Sequence, residues 1–222
     1  APSCVYQIQN YKGKRSSSSF DIVNEGKIIG SFDLASPGFH NALNATVAVA
    51  VAVDLGLSME KIKKGISQFA GVARRFQYRG EINGVSFIDD YAHLPTEVQS
   101  ALEAAKAGKW NGIVAVFQPH RFTRTSDLAS AFSDCFQDAD EIVITGIYSA
   151  GEKAIPGITG KLIADAVASK AIEKNVRYCE HREDLIGFLR ELLVEGDLCL
   201  TLGAGDLTNI VDQLMGALED GQ

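Results

Sequence analysis

The sequence predicts an α/β protein. Residues 76–222 should form a mainly parallel sheet with helices on both faces, behind a strand-and-helix piece over residues 1–75. Three observations carry this. From residue 76 onward, short apolar strand patterns alternate with helical ones, the signature of repeated βα units. Before that point the order differs, with three strand-like segments in a row followed by two helical ones. Charge shifts at the same place: residues 1–75 hold nine Lys and Arg against five Asp and Glu, and the remainder holds twelve against twenty-three.

Val5–Gln9, Ser19–Val23 and Lys27–Leu34 read as strands, with turn chemistry in Tyr11–Ser18 and Asn24–Gly26. They form an antiparallel ribbon. A ribbon alone is marginal, so it is expected to complete a sheet outside the chain. Residues 40–56 alternate Val and Ala and so imitate a strand. Their length, their alanines, Asn41 at the start and Gly56 in a C-cap position favour a helix. A second helix runs from the N-cap Ser58 to about Phe69, with Glu60 just inside.

In the second part, Val85–Ile88 precedes a helix from Pro95 whose apolar face is Val98, Leu102 and Ala105. Ile113–Phe117 precedes a helix near Ser126 with Leu128, Phe132 and Phe136 as its face. Ile142–Thr145 precedes a helix from about Gly160, and Leu198–Leu202 a closing helix from about Asp206. Such units imply a parallel sheet buried on both faces.

A hydrophobic fraction of 46% in 222 residues can fill a core. The net charge of −7 argues against a nucleic-acid binder and a polybasic membrane surface. No apolar run reaches the ~18 residues that span a bilayer, and Ala1–Asn10 does not read as a signal peptide. Cys4, Cys135, Cys179 and Cys199 form no CxxC pair. They read as reduced, mostly buried thiols of a cytoplasmic protein.

In open parallel sheets, ligands bind beyond the carboxyl ends of the strands. The unusual polar stretches sit there: Asp89-Asp90-Tyr91-Ala92-His93, Gln118-Pro119-His120-Arg121-Phe122-Thr123-Arg124, Gly146-Ile147-Tyr148-Ser149-Ala150-Gly151-Glu152 and Gly203-Ala204-Gly205-Asp206. Four such ends should converge on one rim, although strand–helix loops are polar in any case. His120, Arg121 and Arg124 make a cationic cluster suited to carboxylate or phosphate oxygens, or to salt bridges with surface acids. Asp89 and Asp90 suit a ribose hydroxyl, a metal, or a cap for the Pro95 helix. Asn41 and Asn44, three apart on one helix face, can read a purine edge or serve as an N-cap and a solvated amide. Arg74-Arg75-Phe76 sits at the suspected boundary, where an arginine can meet a bound anion or be an ordinary linker charge. The Gly203-Ala204-Gly205 stretch is not a dinucleotide fingerprint, and no GxxxxGK[ST] phosphate loop occurs in the chain.

Taken together, these residues resemble the Mur ligase family. The carriers are Pro37–Ala45, Gly71–Phe76, Asp89–His93, Phe117–Arg124, Tyr148–Glu152 and Gly203–Asp206, in order from about residue 30 to 210. Asp89–His93, Phe117–Arg124 and Tyr148–Glu152 are similar to the branch that joins L-alanine to UDP-N-acetylmuramate in peptidoglycan precursor synthesis. The resemblance implies three domains: a UDP-sugar domain, a central ATPase whose C-terminal end would be residues 1–75, and a Rossmann-like C-terminal ligase domain over 76–222. It implies ATP and Mg as cofactors, with phosphorylation of the substrate carboxylate to an acyl phosphate and attack by the incoming amine. His40, Asn41 and Asn44 would lie around the adenine, and Arg75 and Asp90 on the ribose or phosphate side, all in one cleft. Tyr91, His93, His120, Arg121 and Arg124 would surround the amino-acid and muramoyl carboxylate, with His93, His120, Arg121 and Arg124 catalytic. The family's usual His-His-Pro is His93-Leu94-Pro95 here, so a second histidine is lost. The UDP-sugar domain and phosphate loop have no counterpart in this sequence, so the chain is expected to be inactive without them. Rival readings are the related ligase that recycles a tripeptide onto UDP-N-acetylmuramate, and a noncatalytic Rossmann-like module.

Overall fold

The computed structural model describes residues 5–170 and 173–219; Cys4 lies outside them. The chain divides into two compact units. One runs up to Val72 and includes Glu103–Lys109; the other comprises Ala73–Leu102 and the chain from Trp110 onward.

In the first unit, strands β1 (Tyr6–Gly13), β2 (Ser18–Asn24) and β3 (Lys27–Leu34) pair antiparallel in that order. The β2–β3 hairpin closes through Glu25 and Gly26, both at positive φ, the geometry that matches strand twist. β1 runs further than the sequence suggests: Tyr11–Gly13 belongs to the strand, not to the turn. Asn10, at φ 53°, lies where the register shifts between Gln9 and Lys12, and pairing resumes beyond it.

Helix α1 (Phe39–Asp54) and helix α2 (Met59–Gln68) cover this sheet. Phe20, Ile22, Phe32 and Leu34 pack against Ala42, Ala45, Val49 and Ile62. The Val/Ala run is therefore helical. Its end is a Schellman motif: Gly56 N–H donates to Val53 O and Leu57 N–H to Ala52 O, with Gly56 at φ 75°. The N-cap is Gly38, and Asn41 sits inside the first turn. A second apolar stripe, Phe39, Leu43, Val47, Val51 and Leu55, is exposed at four-residue spacing.

The second unit holds a six-stranded sheet in the order β4-β5-β9-β6-β7-β8. β5 (Val85–Asp90), β6 (Ile113–Phe117), β7 (Glu141–Thr145), β8 (Asn175–Cys179) and β9 (Leu198–Leu202) run parallel, and β4 (Gln77–Ile82) is an antiparallel edge. Helices α6 (Arg182–Leu192) and α7 (Thr208–Glu219) cover one face, burying Phe87, Val116, Val143, Leu189 and Ile210. Helices α3 (Pro95–Lys106), α4 (Phe122–Leu128) and α5 (Lys161–Lys170) complete the βα alternation. Phe117 meets Phe132 and Phe136 at ring separations of 5.0 and 5.7 Å.

Two details differ from the sequence reading. The helix expected near Ser126 starts at Phe122 and ends at Leu128, followed by a 3-10 turn over Ala129–Phe132, so Phe136 joins the core from outside it. The β8–α6 unit and strand β4 were not anticipated. Both strands are edges with half-exposed, polar residues, and β4 is interrupted by Gly80 at φ 148°. Among the described residues, no helix is long and apolar enough to cross a membrane.

Candidate active site

Parallel strands place their carboxyl ends along one edge. Here the loops after β5, β9, β6, β7 and β8 lie side by side there, and all four polar motifs meet within the second unit.

The acidic pair builds the frame. Asp89, 1% exposed, accepts hydrogen bonds from Thr201 Oγ1 (2.7 Å), Thr208 Oγ1 (2.8 Å) and Arg74 Nε (3.3 Å). Asp90, also buried, accepts from the backbone N–H of Phe76 and of Ala92, both at 2.7 Å. The N-terminus of α3 is served by Glu97, whose Oε2 accepts from His93 N–H and Leu94 N–H at 3.0 and 3.2 Å. The Pro95 helix is thus capped by a residue the sequence reading passed over.

Arg74 and Arg75 separate in role. Arg74 Nη2 donates to Gly203 O (2.7 Å) and Gly205 O (3.1 Å), tying the last motif to the first. Arg75 is half exposed, and its pairing with Glu97 is long at 3.9 Å. Both guanidinium groups lie over the Tyr91 ring, at 4.9 and 5.5 Å. Arg74 and Phe76 are both in left-handed backbone conformations, which fixes the direction of Arg75 between them.

The cationic cluster sits at the start of α4. Arg121 has φ 71° and ψ 141°, a region glycine adopts readily and arginine does not. It is held there by its N–H to Tyr148 O (2.8 Å) and by its carbonyl, which accepts from Thr125 N–H and Oγ1. One turn on, Arg124 Nη1 lies 3.1 Å from His120 Nδ1. A guanidinium only donates, so Nδ1 must present its lone pair and the ring proton is assigned to Nε2. Burial and then the charges of Arg124, His93 and Arg121 hold His120 below the usual histidine range. Among the described residues, neither Arg121 nor Arg124 is in an ion pair with a carboxylate, so the salt-bridge alternative for this cluster is not what the fold builds. Glu152, whose charge also acts on Arg121, accepts instead from Thr123 N–H (3.1 Å) and Oγ1 (2.7 Å). Those bonds keep its carboxyl below the ordinary range.

The aromatic rings form a row across three loops. Tyr91 and His93 are 5.5 Å apart, His93 and His120 5.7 Å, and His120 and Tyr148 5.7 Å in an offset stack tilted by 23°. His93 Nδ1 faces Tyr91 O at 3.0 Å and Glu97 Oε2 at 3.3 Å. Both are acceptors, so the proton belongs on Nδ1. Gln118 braces the floor: Nε2 donates to Asp206 Oδ1 (2.9 Å), Oε1 accepts from Leu207 N–H (3.2 Å), and Arg182 binds the other Asp206 oxygen at 2.8 Å.

Tyr91, His93, His120, Arg121 and Arg124 are therefore brought together. Arg75 joins them at Tyr91, and Asp90 lies beneath, engaged with the backbone. His40, Asn41 and Asn44 are on α1 of the first unit. Asn41 Nδ2 donates to Ser36 Oγ and Pro37 O at 2.9 and 2.7 Å. Asn44 is exposed. Glu97, Gln118, Tyr148, Glu152 and Asp206 contribute although no role had been given to them, and Arg182 was missed because its βα unit was missed.

Two guanidinium groups in no direct ion pair with a carboxylate among the described residues, beside a neutral imidazole, make an oxyanion-binding arrangement. ATP with Mg fits less well. The described residues contain no group of three His, Cys, Asp or Glu able to hold a metal ion, and the sequence has no phosphate loop.

Residues 74–205 match the family described as Mur ligase, glutamate ligase domain. The UDP-N-acetylmuramate–L-alanine ligase of Pelotomaculum thermopropionicum is 40% identical over 221 residues, covering 100% of this chain and 48% of that protein. The ligase of the same name from Myxococcus xanthus is 39% identical over 213 residues, covering 96% and 45%. The crystal structure of the Thermotoga maritima UDP-N-acetylmuramate–alanine ligase superposes with a TM-score of 0.82 at 28% identity, over 98% of this chain and 46% of that one. The chain thus spans about half the length of the curated relatives it matches. With residues 74–205, more than half of the chain, inside the matched domain, the chain belongs to the Mur ligase family.

Proposed function

We propose that this chain is part of an ATP-dependent ligase that joins L-alanine to the carboxylate of UDP-N-acetylmuramate, in peptidoglycan precursor synthesis in the cytoplasm. The carrying observation is the pair Arg121 and Arg124, neither in an ion pair with a carboxylate among the described residues, beside a His120 held neutral. The substrate carboxylate and the negative charge that develops when the amine attacks an acyl phosphate both need such donors. In this reading Arg121 and Arg124 bind those oxygens and His120 donates from Nε2. His93, its Nδ1 proton engaged, offers Nε2 as an acceptor near the amine, and Tyr91 lines the amino-acid end. Arg75, the more exposed of the two arginines over Tyr91, reaches the nucleotide side. Asp90 shapes that side from below, and His40, Asn41 Oδ1 and Asn44 take the adenine. Residues 1–75 are then the end of the central ATP-binding domain and 76–222 the ligase domain.

Phosphoryl transfer is mainly a matter of positioning and neutralising the β- and γ-phosphates. The absent phosphate loop leaves that task to the other half of the relatives' length. The test is phosphate release with Mg-ATP, UDP-N-acetylmuramate and L-alanine. The chain alone should be silent, and turnover should follow addition of the corresponding N-terminal half. Robust turnover by the chain alone, or turnover with a cell-wall tripeptide and none with L-alanine, would overturn the reading.

A further inference from the structure

We propose that Tyr148 is a positioning residue for His120: seated on Gly205, its ring holds the imidazole in the orientation that accepts the Arg124 hydrogen bond at Nδ1 and keeps the ring proton on Nε2. The inference rests on the ligase reading for its consequence in turnover, and on geometry alone for the contact itself.

Tyr148 is joined to the His120 loop by backbone as well as ring. Its N–H donates to Pro119 O at 2.9 Å and its carbonyl accepts from Arg121 N–H at 2.8 Å, a parallel bridge around His120. That bridge fixes the backbone; the stack at 5.7 Å and 23° fixes the ring plane. A Cβ added to Gly205 would lie 2.5 Å from Tyr148 Cγ and 2.4 Å from Gln118 Oε1, so only a bare backbone lets the tyrosine seat. The seat is pinned from both flanks. Arg74 donates to Gly203 O and Gly205 O, while Asp206 is gripped by Gln118 and Arg182. The Arg182–Asp206 pair is half exposed and contributes little to stability; its effect is to fix a loop. The groups that bear on His120 are His93 from the end of β5, Arg121 and Arg124 from α4, and Glu152 and Tyr148 from the loop after β7.

The test uses ring nitrogen–proton correlation spectra of the 222-residue chain, which has four histidines, with His120 assigned by its own substitution. Wild type should show His120 protonated on Nε2 and titrating below the usual range. Tyr148→Ala uncovers one face of the ring, so the midpoint should move up toward the ordinary value and the single-tautomer signature should be lost. Gly205→Ala, which displaces the ring by its Cβ, should do the same. Tyr148→Phe keeps the ring and should keep both signatures. An unmoved His120 in folded Tyr148→Ala and Gly205→Ala overturns the proposal, and so does a shift in Tyr148→Phe equal to that in Tyr148→Ala. Turnover separates the two claims. In the complete ligase, Tyr148→Ala should lower kcat at least tenfold and leave the KM for ATP alone. If the spectra move and kcat does not, the part given to His120 in ligation falls while the ring contact stands.

Discussion

Replacing Arg121 by glycine should stabilise the second unit and disable the site at once. Arg121 stands at φ 71° and ψ 141°. Holding a non-glycine residue in such a sparsely populated region costs about 1–3 kcal/mol. Glycine removes that strain but loses about 0.5–1 kcal/mol through its greater freedom in the unfolded chain. The side chain is exposed and makes no capping bond, so its removal is close to neutral. The net expectation for Arg121→Gly relative to Arg121→Ala is a gain of up to about 2.5 kcal/mol, centred on ~1 kcal/mol. For a protein of this size the central value corresponds to roughly 2–4 °C in Tm. The assay is thermal and urea unfolding followed by the fluorescence of Trp110, the single tryptophan, which belongs to the second unit. Arg121→Ala, with the strain retained, should unfold with the wild type. If Arg121→Gly were no more stable than Arg121→Ala, the backbone at 121 would not be strained, and the argument that the fold spends stability to aim this arginine would fail.

Three further outcomes are expected. Asp90→Ala should cost about 2–5 kcal/mol in urea unfolding, because it leaves the buried Phe76 and Ala92 N–H groups without their acceptor; a neutral result would return Asp90 to a purely ligand-facing part. Burial pushes the thiols of Cys135 and Cys199 up to about 12, so neither should react with a thiol reagent at pH 8 until the protein is unfolded. His120, whose folded value is depressed, contributes stability that is present above about pH 6.5 and lost as pH falls through the folded value, since the unfolded state binds the extra proton; His120→Gln should flatten that limb of the urea-midpoint profile, and an unchanged limb would contradict the shift.

The parallel strands were legible because they are short β-branched runs buried on both faces, Ile113–Phe117 and Leu198–Leu202 being the clearest. Their loops were legible because polar, glycine-rich motifs stand out against such runs. Edges were not: β4 and β8 bury only part of their residues, and no periodicity marks them. Side-chain roles were hardest. Nothing in Asp89-Asp90 says that both carboxylates turn inward, and Arg74 and Arg75 look equivalent until left-handed backbone at Arg74 and Phe76 ties Arg74 to the Gly203 loop and leaves Arg75 half exposed. Glu97 carries a readable signal, an acid three residues after Leu94 at a helix start, but the missing Ser or Thr at the cap hid it. Arg182 had no signal apart from the helix it opens.

The central claim is that Arg121 and Arg124 make no direct ion pair with a carboxylate among the described residues because a substrate oxyanion completes them. The most direct measurement is steady-state ligation by the complete enzyme carrying Arg121→Ala or Arg124→Ala. Losing one charge-assisted hydrogen bond of about 1.5–3 kcal/mol predicts a kcat lower by roughly ten- to a hundredfold for each, with the fold intact and the KM for ATP unchanged. Wild-type kcat in both variants would contradict the account.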